Sequence, residues 1–303
     1  MKTLNPGDLV AVVAPAGPAL PEQLAGLEAL YARHGLRVRL YPGCHASTGY
    51  LAGPDALRLA DLHAALADGE VAALHCLRGG YGAMRLLDAI DIDLVRRAGK
   101  LLVGYSDITA LHALWCRAGL PSLHAPMPAS DLIQPGRGDD EAALFALLRT
   151  GLRAGDALAP LPALLLAPSD LHVPGRAQGL LVGGNLSLVA ALLGTPWAWP
   201  AHGAILFLED IHEEPYRVDR LLTQLRLAGV LDAAAGFVLG SFTEQAPPTD
   251  LLREMLAGLG KPLLAGWPAG HGTPNRPLPL GLHVVLDATA GRIEMAEDFL
   301  TAK

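Results

Sequence analysis

The chain has 303 residues, 51% of them apolar and 17% charged, with a formal net charge of −7. That balance excludes a disordered chain, and no basic stripe of the kind that marks a nucleic-acid binder is visible. No run of 18 apolar residues reads as a membrane span. The apolar stretch 9–14 ends at Pro15, so it is expected to be a buried strand rather than an export signal. Three scattered cysteines, Cys44, Cys76 and Cys116, have neither CxxC nor zinc spacing. Each sits among apolar residues, which predicts buried reduced thiols and a cytoplasmic protein.

The length predicts two domains. In the first half, strands are predicted at 9–14, 37–41, 71–77, 101–104 and 122–125, and helices at 21–32, 55–66, 83–97, 107–118 and 140–148. This alternation, with nearly all-apolar strands, predicts a parallel sheet covered on both faces. Gly151, Gly155, Pro160, Pro162, Pro168, Pro174 and Gly175 then crowd together, which places an inter-domain connection over 151–176 between domains at 1–150 and 177–303. The second half predicts a strand at 178–182, a helix at 186–193 and a strand at 204–208. A helix follows at 215–228, whose Val218, Leu221, Leu222 and Leu225 share one face and whose Pro215 suits the first turn. A strand at 237–240, a helix at 250–259, and a hairpin or two edge strands at 282–287 and 292–295 complete the chain.

Five local patterns carry possible chemistry. In Gly104-Tyr105-Ser106-Asp107 an apolar strand runs into a serine at the start of a helix. Such a turn presents either a nucleophilic hydroxyl, with the Asp107 N–H aimed at a developing oxyanion, or an ordinary N-cap. The second glycine of the G-x-S-x-G elbow is replaced by Ile108. Arg78-Gly79-Gly80-Tyr81-Gly82 follows another strand and reads as an oxyanion or phosphate cradle, or as a tight turn. It is not a dinucleotide fingerprint. Glu209 and Asp210 close a strand, and alternation allows only one of them to face a cleft. His271 stands between two glycines, open to approach from both sides; His112 and His124 are further candidates for pairing. Asn185, after Gly183-Gly184, either caps a helix or orients a ligand. No spacing suggests a metal site or cofactor.

Taken together, Val13-Ala14-Pro15-Ala16-Gly17-Pro18, Arg78–Gly82, Gly104–Asp107, Gly183-Gly184-Asn185-Leu186, Leu208-Glu209-Asp210 with Tyr216-Arg217-Val218-Asp219-Arg220, and Gly270-His271-Gly272 stand in the same order as in the LD-carboxypeptidases, which the chain resembles from about residue 8 to 287. The resemblance implies an α/β fold with a Rossmann-like parallel-sheet N-terminal domain and a smaller β-rich C-terminal domain. It also implies a metal-free Ser–His–Glu peptidase: Ser106 the nucleophile, His271 the general base, Glu209 its orienter, and the Gly80 and Asp107 backbone N–H groups the oxyanion donors. The implied reaction releases terminal D-Ala from murein tetrapeptides in peptidoglycan recycling, with the chain a homodimer free of nucleic-acid and membrane partners. Arg78, Arg217, Arg220 and Arg276 are candidates for the terminal carboxylate, because a guanidinium fork suits it, and Asn185 joins Arg78 as a substrate contact. Family members that cleave peptidyl-adenylate antibiotics for self-immunity tend to carry an insertion that has no obvious counterpart here. Outside the family, an α/β-hydrolase esterase and a two-lobed small-molecule binding protein are the competing expectations.

Overall fold

The apolar runs of the first half become parallel strands, each returning through a helix. They are β1 (Leu9–Val13), β2 (Arg37–Leu40), β3 (Val71–Cys76), β4 (Leu101–Gly104) and β5 (Ser122–His124), with α1 (Pro21–Leu24), α2 (Leu27–Ala32), α3 (Asp55–Ala67), α4 (Ile92–Ala98), α5 (Thr109–Arg117) and α6 (Gly138–Thr150). This computed structural model describes residues 1–158, 171–243 and 248–302. The sheet order is β2-β1-β3-β4-β5, all parallel, and a short later strand, Leu278–Leu280, lies beside β5. Strands β1, β3, β4 and β5 are almost wholly buried, as expected of a sheet covered on both faces. The connections diverge between β1 and β3, so the crevice at their carboxyl ends is the place where such a sheet takes a ligand. The turns after these two strands meet there: the Gly17 N–H donates to the Gly79 carbonyl at 3.1 Å.

This first unit comprises Met1–Gly151 with two short later segments, and the second comprises Leu152–Asn275 and Pro279–Phe299. The second unit contains β6 (Ala157–Leu158), β7 (Arg176–Asn185), α7 (Leu186–Ala191), β8 (Ile205–Asp210), α8 (Pro215–Leu227), α9 (Val230–Ala233), β9 (Gly236–Phe242), α10 (Thr249–Met255), β10 (Leu263–Leu264), β12 (Leu282–Asp287) and β13 (Arg292–Met295), with Leu278–Leu280 counted as β11. Its sheet order is β10-β9-β8-β7-β12-β13-β6. Strands β7 to β10 run parallel, whereas β12, β13 and β6 add antiparallel neighbours. The approach of β7 to β8 needs glycine: a Cβ on Gly183, whose φ is +119°, would lie 2.1 Å from the Phe207 carbonyl oxygen.

Several expected helices are interrupted. The one expected at 21–32 breaks at Gly26, which takes φ +88°. The one at 83–97 splits into a 3-10 helix, Ala83–Ala89, and α4, because the Asp91 carboxylate captures the N–H groups of Asp93 and Leu94 and starts a new helix. The segment 107–118 opens as a 3-10 turn, Ser106–Ile108, before α5, and 250–259 ends its α-helix at Met255. The tail is a hairpin and lies inside the sheet, since β6 covers its outer strand. Of the expected connection, residues 159–170 lie outside the described residues. Cys44 and Cys76 are buried, and Cys116 is half-buried rather than enclosed. Burial pushes the Cys44 thiol up to about 12, the Cys116 thiol up to about 11, and the Cys76 thiol upward as well. Among the described residues no helix is long and apolar enough to cross a membrane.

Two substitutions separate local from close-packing constraints. Asp91→Ala should cost about 1 kcal/mol by removing a cap. Gly183→Ala should cost about 3 kcal/mol or more, because backbone must move. Urea denaturation of the two variants should show this ranking.

Candidate active site

One group of residues is the turn after β4. Ser106 adopts φ +64°, a left-handed conformation rare for a residue with a side chain, and the helical turn begins at once. This is the strained strand-to-helix geometry that exposes a serine hydroxyl. A Cβ on Gly79 would lie 2.8 Å from Ser106 Cβ and 2.9 Å from its Oγ, so the glycine turn passes the serine at a distance only glycine allows. Gly80 follows with φ +116°, and a Cβ there would press on the backbone of Gly17.

The Asp107 side chain, 2% exposed, turns inward, and its Oδ2 accepts the Ala83 N–H at 2.8 Å. Desolvation raises its carboxyl to about 6, opposed by the Ala83 hydrogen bond and by Arg58. His112 supports the turn from behind. Its Nε2 faces the Gly104 carbonyl at 2.9 Å, so that nitrogen carries the proton, and Nδ1 accepts from Ser122 Oγ at 2.8 Å. Burial lowers this imidazole to about 3, so it stays neutral and structural. His124 is buried with its ring 5.5 Å from that of Tyr105. Tyr105 in turn donates to Asp131 at 2.9 Å.

A second group of residues belongs to the other unit, at the end of β8. Two steps along β8, from Leu208 to Asp210, oppose three along β9, from Leu239 to Phe242, so β9 bulges by one residue beside Glu209. Glu209 is fully buried. A Cβ on Gly240 would stand 3.0 Å from Glu209 Cβ, and one on Gly270 would stand 2.5 Å from its Oε2. His271 Nδ1 lies 2.7 Å from Glu209 Oε2, and the His271 backbone N–H donates to the same oxygen at 3.2 Å. The carboxylate can only accept, so Nδ1 bears the proton and a neutral ring keeps its lone pair at Nε2. The residues on either side are pinned: the Gly270 N–H donates to buried Asn275 at 3.0 Å, and the Gly272 N–H to Ser241 Oγ at 2.8 Å.

Asp210 faces the opposite way, as strand alternation requires. It accepts from Asn185 Nδ2 at 2.8 Å, from the Ser187 hydroxyl at 2.8 Å and from the Ser187 N–H at 3.0 Å, and desolvation raises its carboxyl. Asn185 is buried; its Oδ1 caps α7 by accepting from the Leu188 N–H, so both ends of its amide are engaged within the protein. Arg78 donates Nη1 to the Pro18 carbonyl at 3.0 Å, and its Nε has no protein partner. Arg217 pairs with Glu213, Arg220 lies over the Tyr216 ring, and Arg276 donates to the Asp139 carbonyl. Among the described residues no three His, Cys, Asp or Glu side chains gather as a metal site would need.

Sequence reasoning missed Arg58, Asn275 and Ser241. Arg58 had a signal: it shares the helical face of Asp61, Leu62 and Ala65, where a charge is out of place unless paired. Asn275 and Ser241 act through hydrogen bonds to loop backbone, for which no sequence pattern exists.

The Asp107 environment has a measurable consequence. Its folded value lies above the ordinary 3.8, so the native state holds a proton between about pH 4 and 6 that the unfolded chain does not. The stability this supplies is full below about pH 4 and is lost as pH rises through about 6. The melting temperature of wild type minus that of Asp107→Asn should therefore be more positive at pH 5 than at pH 7.5. A pH-independent difference would contradict this burial effect.

Residues 10–125 match the LD-carboxypeptidase N-terminal domain, and residues 178–286 match the LD-carboxypeptidase C-terminal domain. A probable murein peptide carboxypeptidase of Bacillus subtilis is 38% identical, over 94% of this chain and 91% of that one. The murein tetrapeptide carboxypeptidase of Pseudomonas aeruginosa is 33% identical, over 92% of each. The crystal structure of muramoyltetrapeptide carboxypeptidase from Oxalobacter formigenes superposes with a TM-score of 0.81 at 29% identity, covering 97% of this chain and 99% of that one. The microcin C7 self-immunity protein MccF of Escherichia coli is 27% identical over 74% of each chain. The chain belongs to the LD-carboxypeptidase family and is a serine-type carboxypeptidase.

Proposed function

We propose that the protein releases the terminal D-Ala of murein tetrapeptides, cutting between the L-centre of the third-position diamino acid and D-Ala, in the recycling of peptidoglycan. The observation that carries this reading is the left-handed Ser106 at a strand-to-helix turn, in a chain that also holds a histidine bound through Nδ1 to a buried glutamate. The names of the murein-acting relatives supply the substrate class.

In this reading Ser106 Oγ attacks the scissile carbonyl and passes its proton to His271 Nε2. Glu209 holds the ring and stabilises the imidazolium that forms. The Gly80 and Asp107 N–H groups receive the oxyanion. Collapse of the tetrahedral intermediate expels D-Ala, whose amine takes the proton from His271, and water then releases the acyl group by the same path reversed. Arg78, in the glycine turn after β3, is the favoured holder of the terminal carboxylate, because a guanidinium fork suits a carboxylate.

Incubation with murein tetrapeptide, with free D-Ala read by mass spectrometry, tests the reading. Ser106→Ala and His271→Ala should each lower turnover on the order of 10³–10⁴-fold or more while the fold survives. Glu209→Gln should remove most activity. Asp210→Asn should do much less, since Asp210 serves α7 rather than His271. Equal mild losses for all four would overturn the triad, and turnover of a peptidyl-adenylate alone would transfer the site to the self-immunity reaction.

A further inference from the structure

The two proposed oxyanion donors sit on separate pieces of chain, the glycine turn after β3 and the serine turn after β4. The peptide group joining Gly82 to Ala83 connects them. Its carbonyl accepts from Arg58 Nη1 at 3.0 Å, and its N–H donates to Asp107 Oδ2 at 2.8 Å. Arg58 is 1% exposed and Asp107 2%. A cation and an anion thus grip one amide from its two ends, both shielded from water. Arg58 also donates to the Pro15 carbonyl in the turn after β1, and its Nη2 reaches Asp55, which exposed Arg85 holds from outside. Gly82 has no room for a side chain, since a Cβ would lie 2.7 Å from Arg58 Nη1 and 2.5 Å from Leu51 Cδ2.

We propose that the Arg58 and Asp107 side chains are positioning residues that clamp the Gly82–Ala83 peptide and thereby align the backbone donors of Gly80 and Asp107 toward one oxyanion. The inference rests on the peptidase reading above. Oxyanion donors stabilise a transition state only when they are already in place. A glycine turn has the greatest conformational freedom of any backbone, so it needs an anchor outside itself. Charged partners make hydrogen bonds about twice as strong as neutral ones, and here two of them polarise the same amide. Burying a charged side chain costs free energy that its hydrogen bonds must first offset. The clamp is therefore better explained by orientation than by holding the fold together.

The test compares wild type, R58M, D107N and the double variant. D-Ala release is measured under steady state, Ser106 labelling by a fluorophosphonate is timed, and thermal melts report the folded fraction. Each single substitution should lower kcat about ten- to a hundredfold with KM within about twofold, and should slow labelling in parallel, because the phosphonyl oxygen uses the same donors. The double variant should lose no more than the worse single one, since both side chains act through one amide. D107N keeps an acceptor facing Ala83 and carries the test should R58M not fold. A folded D107N with wild-type kcat and labelling rate overturns the inference, as does a loss that tracks the folded fraction or appears in KM alone. Wild type that labels but releases no D-Ala overturns only the substrate assignment, and the labelling rates of the variants then decide. Wild type that does neither overturns the peptidase reading and this inference with it.

Discussion

Backbone packed too closely for a Cβ surrounds each of the two chemical groups. Gly79 passes the Ser106 side chain at contact distance, and Gly240 and Gly270 close around the Glu209 carboxylate. This crowding determines what each group can do. Ser106 is held in a left-handed turn that lifts its hydroxyl at the strand end, and Glu209 is sealed where the His271 ring and backbone N–H reach Oε2. Neither arrangement survives a larger residue at those glycines without backbone movement. The glycines therefore act through the space they leave, not through flexibility.

Burial of charge is the second recurring device. Asp107 and Asp210 are both enclosed and both raised, yet each is tied to backbone N–H groups that organise a turn or a helix start. His75 and His112 are enclosed without a carboxylate and are held neutral, at about 4 and about 3. His271 differs from them in having a buried carboxylate on Nδ1. That contrast separates an imidazole suited to carrying a transient positive charge from His75 and His112, which serve as neutral spacers between strands and loops.

Much of this was legible in the residues. The apolar runs ahead of Ser106 and Glu209 marked real strands, and the abrupt start of a helix after Ser106 marked the strained turn. The alternation of Glu209 and Asp210 separated their directions in advance. Grouping Ser106, Glu209 and His271 was another matter. No spacing unites residues so far apart, and resemblance to a family supplied that step. Other features were hidden for physical reasons. The two- and three-residue strands at 157–158, 263–264 and 278–280 are too short for any periodicity, and they form because a neighbouring strand offers its edge. What Arg58 grips was hidden, because two of its partners are carbonyls contributed by distant turns.

The thiols described with the fold bear on how the enzyme can be inhibited. Cys44 and Cys76 are enclosed, and all three sulfurs are held far from the thiolate form at neutral pH. Since only a thiolate attacks an alkylating agent at speed, iodoacetamide and mild oxidants have little purchase on the native protein. Indifference to thiol poisons is the behaviour that this pattern of burial dictates.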